Sequence, residues 1–164
     1  MSPYSALHDR PARHSHGLWH SEVVAIPAAI PIKRWALLPR WARWVLAVYV
    51  IGFIEGTIDH VRWMAHGGIH AYAGFGYVPV QVFLVLLVVM DPVAALLCGA
   101  ARRPGVWLAV LITVLDVAAN WAGNWGRMPR FIGTFWLVEL FTAFVLATAI
   151  PLSRAVSRAA GPCG

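Results

Sequence analysis

Four acidic residues stand in four apolar stretches of this sequence: Glu55, Asp91, Asp116 and Glu139. The chain has seven acids; Asp59 joins these four inside apolar sequence, and Asp9 and Glu22 lie near the N-terminus. A carboxylate at the centre of a bilayer costs roughly 2.5–3.5 kcal/mol on insertion scales. Such residues turn inward, find partners and mark functional sites. Glu55 and Asp59 are spaced i,i+4, and Arg62 and His66 continue the same helical stripe. Two like charges there need Arg62 or a cation between them if both are ionised. Asp116 belongs to a second stripe with Thr113, Asn120 and Asn124. Glu139 is followed by Thr142 on nearly the same side.

These types and spacings suit acid/base chemistry on an apolar molecule. A carboxyl group away from water keeps a proton nearer neutral pH, and one held ionised by polar neighbours can accept one. Such a pair could isomerise a double bond or cyclise an isoprenoid, with a carbocation stabilised by carboxylates and aromatic faces. Glu55, Asp59, Asp116 and Glu139 are the candidate catalytic groups. Asn120, Asn124, Arg62, Trp63, Trp121 and Trp136 are the candidate substrate contacts, with Trp125 as a further aromatic face. Asp91 and Pro92 have a structural reading: Pro92 removes a backbone donor and kinks its helix, and Asp91 serves the freed backbone. Three other readings stay open. The acids could form a purely structural hydrogen-bond network, line a proton or ion pathway, or belong to a non-catalytic subunit of a larger membrane complex.

A metal centre and a cofactor are not expected. Carboxylate bundles that hold two metals use Glu-x-x-His pairs, and none occurs here. His60 is the one histidine well inside an apolar run, and helical periodicity points it away from the Glu55 stripe. Cys98 and Cys163 are too few for a disulfide framework or a thiolate site.

The elements that must position these residues are membrane helices. The chain has 164 residues, of which 60% are hydrophobic and 12% charged. A soluble domain this apolar could not cover its surface. Spans are expected over Trp44–Ala65, Pro79–Ala100, Gly105–Asn124 and Phe131–Leu152, each long enough to cross about 30 Å of hydrocarbon. At 1.5 Å per residue, Glu55 and Asp116 lie about 16 Å from one membrane face, and Asp91 and Glu139 about 18 and 12 Å from the other. All four therefore fall near the midplane. Short turns between the spans predict an all-α, polytopic protein with an antiparallel four-helix transmembrane bundle over residues 44–152.

The net charge of +6 is an orientation signal and gives no reason to expect nucleic acid. Ten basic residues flank the first span's start, the 101–104 turn and the end of the fourth span; three lie on the opposite side. The positive-inside rule places both termini in the cytoplasm, in an inner (plasma) membrane. Residues 1–43 then form a cytoplasmic tail with an interfacial segment carrying Trp35 and Trp41, and residues 153–164 a second tail. The first tail holds His8, His14, His16 and His20, read as flexible, with metal binding the alternative. No removable signal peptide is expected. Gly67 and Gly68 end the first span, and an aromatic loop with Tyr72, Phe75 and Tyr77 follows.

The acid Glu55, this aromatic loop, the Pro79-x-Gln81-x-Phe83 start of the second span, Asp91 beyond it and Asn120-Trp121 resemble the EXPERA-type membrane proteins. That family includes sterol isomerases and the sigma-2 receptor. The resemblance covers roughly residues 50–125, and the family usually has glutamate where Asp91 falls. It implies four or five helices around inward carboxylates and a sterol-like pocket. The partner expected is a membrane lipid or other apolar small molecule, and a membrane-protein partner or a second copy of the chain remains open.

The topology is directly testable. Single-cysteine reporters at residues 126 and 160 should label from opposite sides of the membrane. Labelling from the same side overturns the four-span reading.

Overall fold

The computed structural model describes residues 32–124 and 128–161, with side chains over residues 34–124 and 136–161. The expectations for the histidine-bearing tail, Trp125 and Cys163 lie outside these residues. The protein is all-α. A short helix α1 (Ile32–Leu37) precedes four long ones: α2 (Arg40–Gly67), α3 (Val78–Gly99), α4 (Arg103–Asn124) and α5 (Met128–Ala160). Each of the four contains a segment long and apolar enough to cross a membrane. The chain is a multi-pass membrane protein.

Local sequence explains the boundaries. Pro39 is extended and its carbonyl accepts the first amides of α2, from Ala42 and Arg43. The Arg43 guanidinium reaches back to the carbonyls of Ala36 and Leu38, both at 2.9 Å, and so caps α1. Gly68, at φ 58°, ends α2 and returns its amide to the Met64 carbonyl. An L side chain rarely adopts that backbone, so glycine suits the position. Pro79 sits in the first turn of α3, where a missing N–H leaves no bond unmade. The turn into α4 closes with the Arg102 amide on the Leu97 carbonyl at 3.0 Å.

The helices pack in chain order, α2 on α3, α3 on α4 and α4 on α5, and a narrower α2/α5 seam closes the ring. Tyr49 makes that seam. Its hydroxyl donates to the Val145 carbonyl at 2.9 Å and lies 3.0 Å from the Thr148 hydroxyl. Phe141 meets Phe53 edge-on at 5.7 Å and fills the space left by Gly52. Leu46, Val106, Val145 and Leu152 are fully buried around it. Outward, Trp44, Ile51, Leu86, Val89, Leu96, Leu111 and Ile150 are exposed. A bundle apolar both inside and out has lipid as its solvent.

Two boundaries differ from the sequence expectation. Pro151 does not end the last helix: α5 is 33 residues long, and residues 153–160 continue it. Leu152, Ser153, Ala155 and Val156 are buried there, so packing outweighs the single amide lost at proline. The interfacial segment, over its described part, docks on the bundle. Trp35 Nε1 donates to the Gly99 carbonyl at 2.6 Å, and Leu38 is buried.

Close approach of α3 and α4 depends on Gly105, where a Cβ would lie 2.7 Å from the Leu97 carbonyl carbon and 2.8 Å from the Cys98 nitrogen. Those are backbone atoms and cannot swing aside. Gly105→Ala should therefore lower stability by about 1–3 kcal/mol. Gly74→Ala, with nothing within 4 Å of the added methyl, serves as the neutral control. Thermal unfolding in detergent checks the pair; equal melting temperatures refute the tight crossing.

Candidate functional site

In the half of the bundle away from the Tyr49 seam, the helices separate around a cavity of about 350 Å³. The second half of α2 supplies Glu55, Asp59, His60 and Trp63 to its wall, and the second half of α4 supplies Asp116, Asn120 and Asn124. Leu84 of α3 and Val138 of α5 add apolar surface. The two polar stripes read from the sequence thus face one space.

Asp116 is held by its own helix. Asn120 Nδ2 donates to Asp116 Oδ1 at 3.0 Å and to the Asp116 carbonyl, also at 3.0 Å. Asn124 Nδ2 donates in turn to the Asn120 carbonyl at 2.9 Å. These i→i−4 bonds fix the carboxyl and leave Asp116 Oδ2 without a hydrogen bond among the described residues. Glu55 and Asp59 are exposed on the cavity's flank, so the acids here are less buried than their depth in the spans suggests.

The loop after α2 folds back as a cap. Ala71, Tyr72, Gly74 and Phe75 line the cavity. Gln81 Nε2 donates to the Phe75 carbonyl at 2.5 Å and ties the cap to α3. The Phe75 ring rests directly against Gly123 of α4. Tyr72 is buried, stacks on Trp63 with ring centroids 6.2 Å apart and meets Phe75 edge-on at 6.1 Å. Burial, with Asp59, Asp116 and Asp91 around it, pushes the Tyr72 phenol up to about 12, so it keeps its proton at physiological pH.

His60 and Tyr72 are cavity residues that the sequence reading missed. His60 Nδ1 lies 2.7 Å from the Tyr72 hydroxyl, and His60 Nε2 lies 3.8 Å from Asp91 Oδ2. Asp91 is 4% exposed, the most buried of the five acids. It turns toward α2, where Gly56 makes room: a Cβ there would sit 2.8 Å from Asp91 Oδ2. Asp91 therefore faces an imidazole across the α2/α3 contact and is not spent on the backbone gap at Pro92, through which α3 continues as helix. A carboxyl, an imidazole and a phenol stand in line from the protein interior to the cavity wall.

Several residues expected at the site stand elsewhere. Glu139 does not line the cavity; its Oε1 accepts from Trp121 Nε1 at 3.0 Å on the outside of the α4/α5 pair. Trp121 and Trp136 face outward, 42% and 53% exposed. Arg62 is exposed and off the cavity wall. Of the six expected substrate contacts, Asn120, Asn124 and Trp63 are on the wall. No group of three or more histidine, cysteine, aspartate or glutamate side chains is placed to hold a metal among the described residues.

The cap's seat on α4 generates a prediction. In Gly123→Ala the new methyl collides with the Phe75 ring. Hydrogen exchange of residues 71–77 should then quicken about tenfold or more, while exchange in α3 and the first half of α4 stays unchanged. Unchanged exchange in the loop shows that Phe75 does not hold the cap down.

No family model, curated protein or solved structure matches this chain.

Proposed function

We propose that the chain binds an apolar lipid, isoprenoid or sterol-like, with its reactive part in the capped cavity, and moves or closes a carbon–carbon double bond by acid/base catalysis. The observation that carries this reading is the lining. Three carboxyl groups, two amides and an imidazole share one small space with the faces of Trp63, Tyr72 and Phe75. A volume near 350 Å³ lies at the small end of the roughly 300–1,000 Å³ typical of ligand sites. It suits one ring system or a short isoprenoid segment, with the rest of the lipid outside. The likeness of residues 50–125 to EXPERA-type proteins points to the same ligand class.

The chemistry needs no redox partner. A protonated carboxyl gives its proton to one carbon of the double bond, and the neighbouring carbon becomes cationic. Carboxylates and ring faces stabilise that charge. A second carboxylate removes a proton from the adjacent carbon, and the double bond re-forms one position along. One proton enters and one leaves. Asp116, oriented by Asn120, and Asp59 and Glu55 opposite it are the acid/base candidates. Trp63 supplies a face for the cation. His60 and Tyr72 form the polar edge of the same wall.

An ion pathway receives less support, because the half of the bundle beyond the cavity is closed by Tyr49, Leu46, Val145 and Leu152. We place the protein in an inner membrane with both termini cytoplasmic, the cap facing the opposite side, on the strength of the basic flanks.

The test combines ligand and variants. Native mass spectrometry after gentle extraction should find an isoprenoid or sterol-like lipid retained with the chain. Asp116→Asn and Glu55→Gln should keep their melting temperatures and lose about 10²-fold or more in turnover of that lipid. Glu139→Gln, off the cavity wall, should change turnover less than threefold. If all three variants keep full function and stability, the carboxyl groups are structural and the proposal fails. A stoichiometric protein partner in place of a lipid moves the chain to the subunit class.

A further inference from the structure

At the other end of the bundle three arginines converge. Arg103 opens α4, and Arg154 and Arg158 lie one turn apart near the end of α5. Together with Ser153 and Ser157 they line a cavity of about 270 Å³. At 1.5 Å per residue α5 is about 50 Å long, well beyond the roughly 30 Å of hydrocarbon, so a helix end of this kind reaches the headgroup layer.

No ion pair joins Arg103, Arg154 or Arg158 to an acid, and none of the three makes a hydrogen bond, among the described residues. The acids of the same helices, Asp116 and Glu139, lie about 20 Å away along them. Arg43 makes the contrast: its guanidinium is used up on the carbonyls of Ala36 and Leu38. The two serines cannot donate into the cavity either. Ser153 gives its proton to the Ile150 carbonyl and Ser157 to the Ser153 carbonyl, each at 2.9 Å. The guanidinium forks are the donors that remain, and their planar geometry matches phosphate oxygens.

We propose that Arg103, Arg154 and Arg158 form a binding site for a single phosphate group, of the kind carried by an anionic phospholipid. Like charges brought together by two helices repel one another, and a phosphate removes that repulsion while using the free donors. The site sits at the depth where lipid phosphates lie. Its role is to fix the basic end of α5 against α4 at the membrane surface. It does not depend on the chemistry proposed for the cavity.

The test uses the full chain in nanodiscs. With mixed phosphatidylglycerol and phosphatidylcholine, native mass spectrometry should show one phosphatidylglycerol retained in preference. Each Arg→Gln change at 103, 154 or 158 should weaken that preference about fivefold, the factor expected for about 1 kcal/mol per basic residue at a lipid surface. Arg40→Gln and Arg102→Gln, on the same side but off the cavity, should leave it within twofold. In pure phosphatidylcholine nanodiscs, stabilisation by millimolar inorganic phosphate that is lost in the 103, 154 and 158 variants identifies free phosphate as the source. Retention of phosphatidylglycerol without any phosphate effect identifies the lipid. Equal lipid selectivity in the wild type and the three variants, with no phosphate effect, overturns the site. So does selectivity that emerges only after Asp9→Asn and Glu22→Gln, because the N-terminal acids would then be the occupants.

Discussion

The hydroxyl of Tyr49 is the hinge of this architecture. In hydrocarbon a hydrogen bond has no water to compete with it, and a phenol left unpaired is costly. By donating to the Val145 carbonyl at 2.9 Å, Tyr49 holds α2 and α5 together at one level. The Phe141 ring in the space of Gly52 and its edge-on contact with Phe53 make the same seam tight. Helices clamped on one side of a level are free to diverge on the other. The cavity lies nearer the cap, lined from α2 by Glu55, Gly56, Asp59, His60 and Trp63 and from α5 by Val138, clear of the residues that make the clamp.

Inside that opening the polar groups are arranged so that few partners are borrowed from other helices. Asn120 and Asn124 satisfy themselves on carbonyls of their own helix, and the first of them also orients Asp116. A site built this way keeps its geometry when the bundle breathes, because α4 alone determines the relation of carboxyl to amide. The His60–Tyr72 contact works differently. It links α2 to the cap, so the cap's position and the imidazole's orientation depend on each other.

Much of this was legible in the sequence, and the gaps have physical reasons. Hydropathy and turn residues placed all four spans, because a segment facing lipid must be apolar over about 20 residues. Helical periodicity joined Glu55 to Asp59 and Asp116 to Asn120, since those relations exist within one helix. The same periodicity misled for His60. It separates His60 from the Glu55 stripe correctly, yet a cavity bounded by α2, α4 and a folded-back loop reaches more of α2 than one stripe. Tyr72 reads locally as part of an aromatic loop; nothing local reveals that this loop turns inward, because Gln81 and Gly123 decide that from two other helices. Glu139 shares a depth with the other acids, but depth carries no information about azimuth, and its partner Trp121 lies on the outside. Pro151 reads as a stop by local rule, and the burial of Leu152 and Val156 overrides it.

Charge is distributed along this bundle with a consequence for both ends. All five described acids lie in the spans, and among the described residues no arginine or lysine lines the capped cavity. The carboxyl groups there can be balanced by protons or by positive charge that develops on a bound molecule. A site that held a fixed guanidinium would already be neutralised and would gain little from a cationic transition state. For the chemistry we propose, leaving the balance open is what makes differential stabilisation available. The arginine end has the opposite constraint, with cations gathered and no acid beside them among the described residues. Among the described residues the two ends thus carry opposite charges, and the apolar seam around Tyr49 lies between them. At the capped end the balance can come from protons or from charge on the molecule we propose there, and at the arginine end the proposed phosphate supplies it.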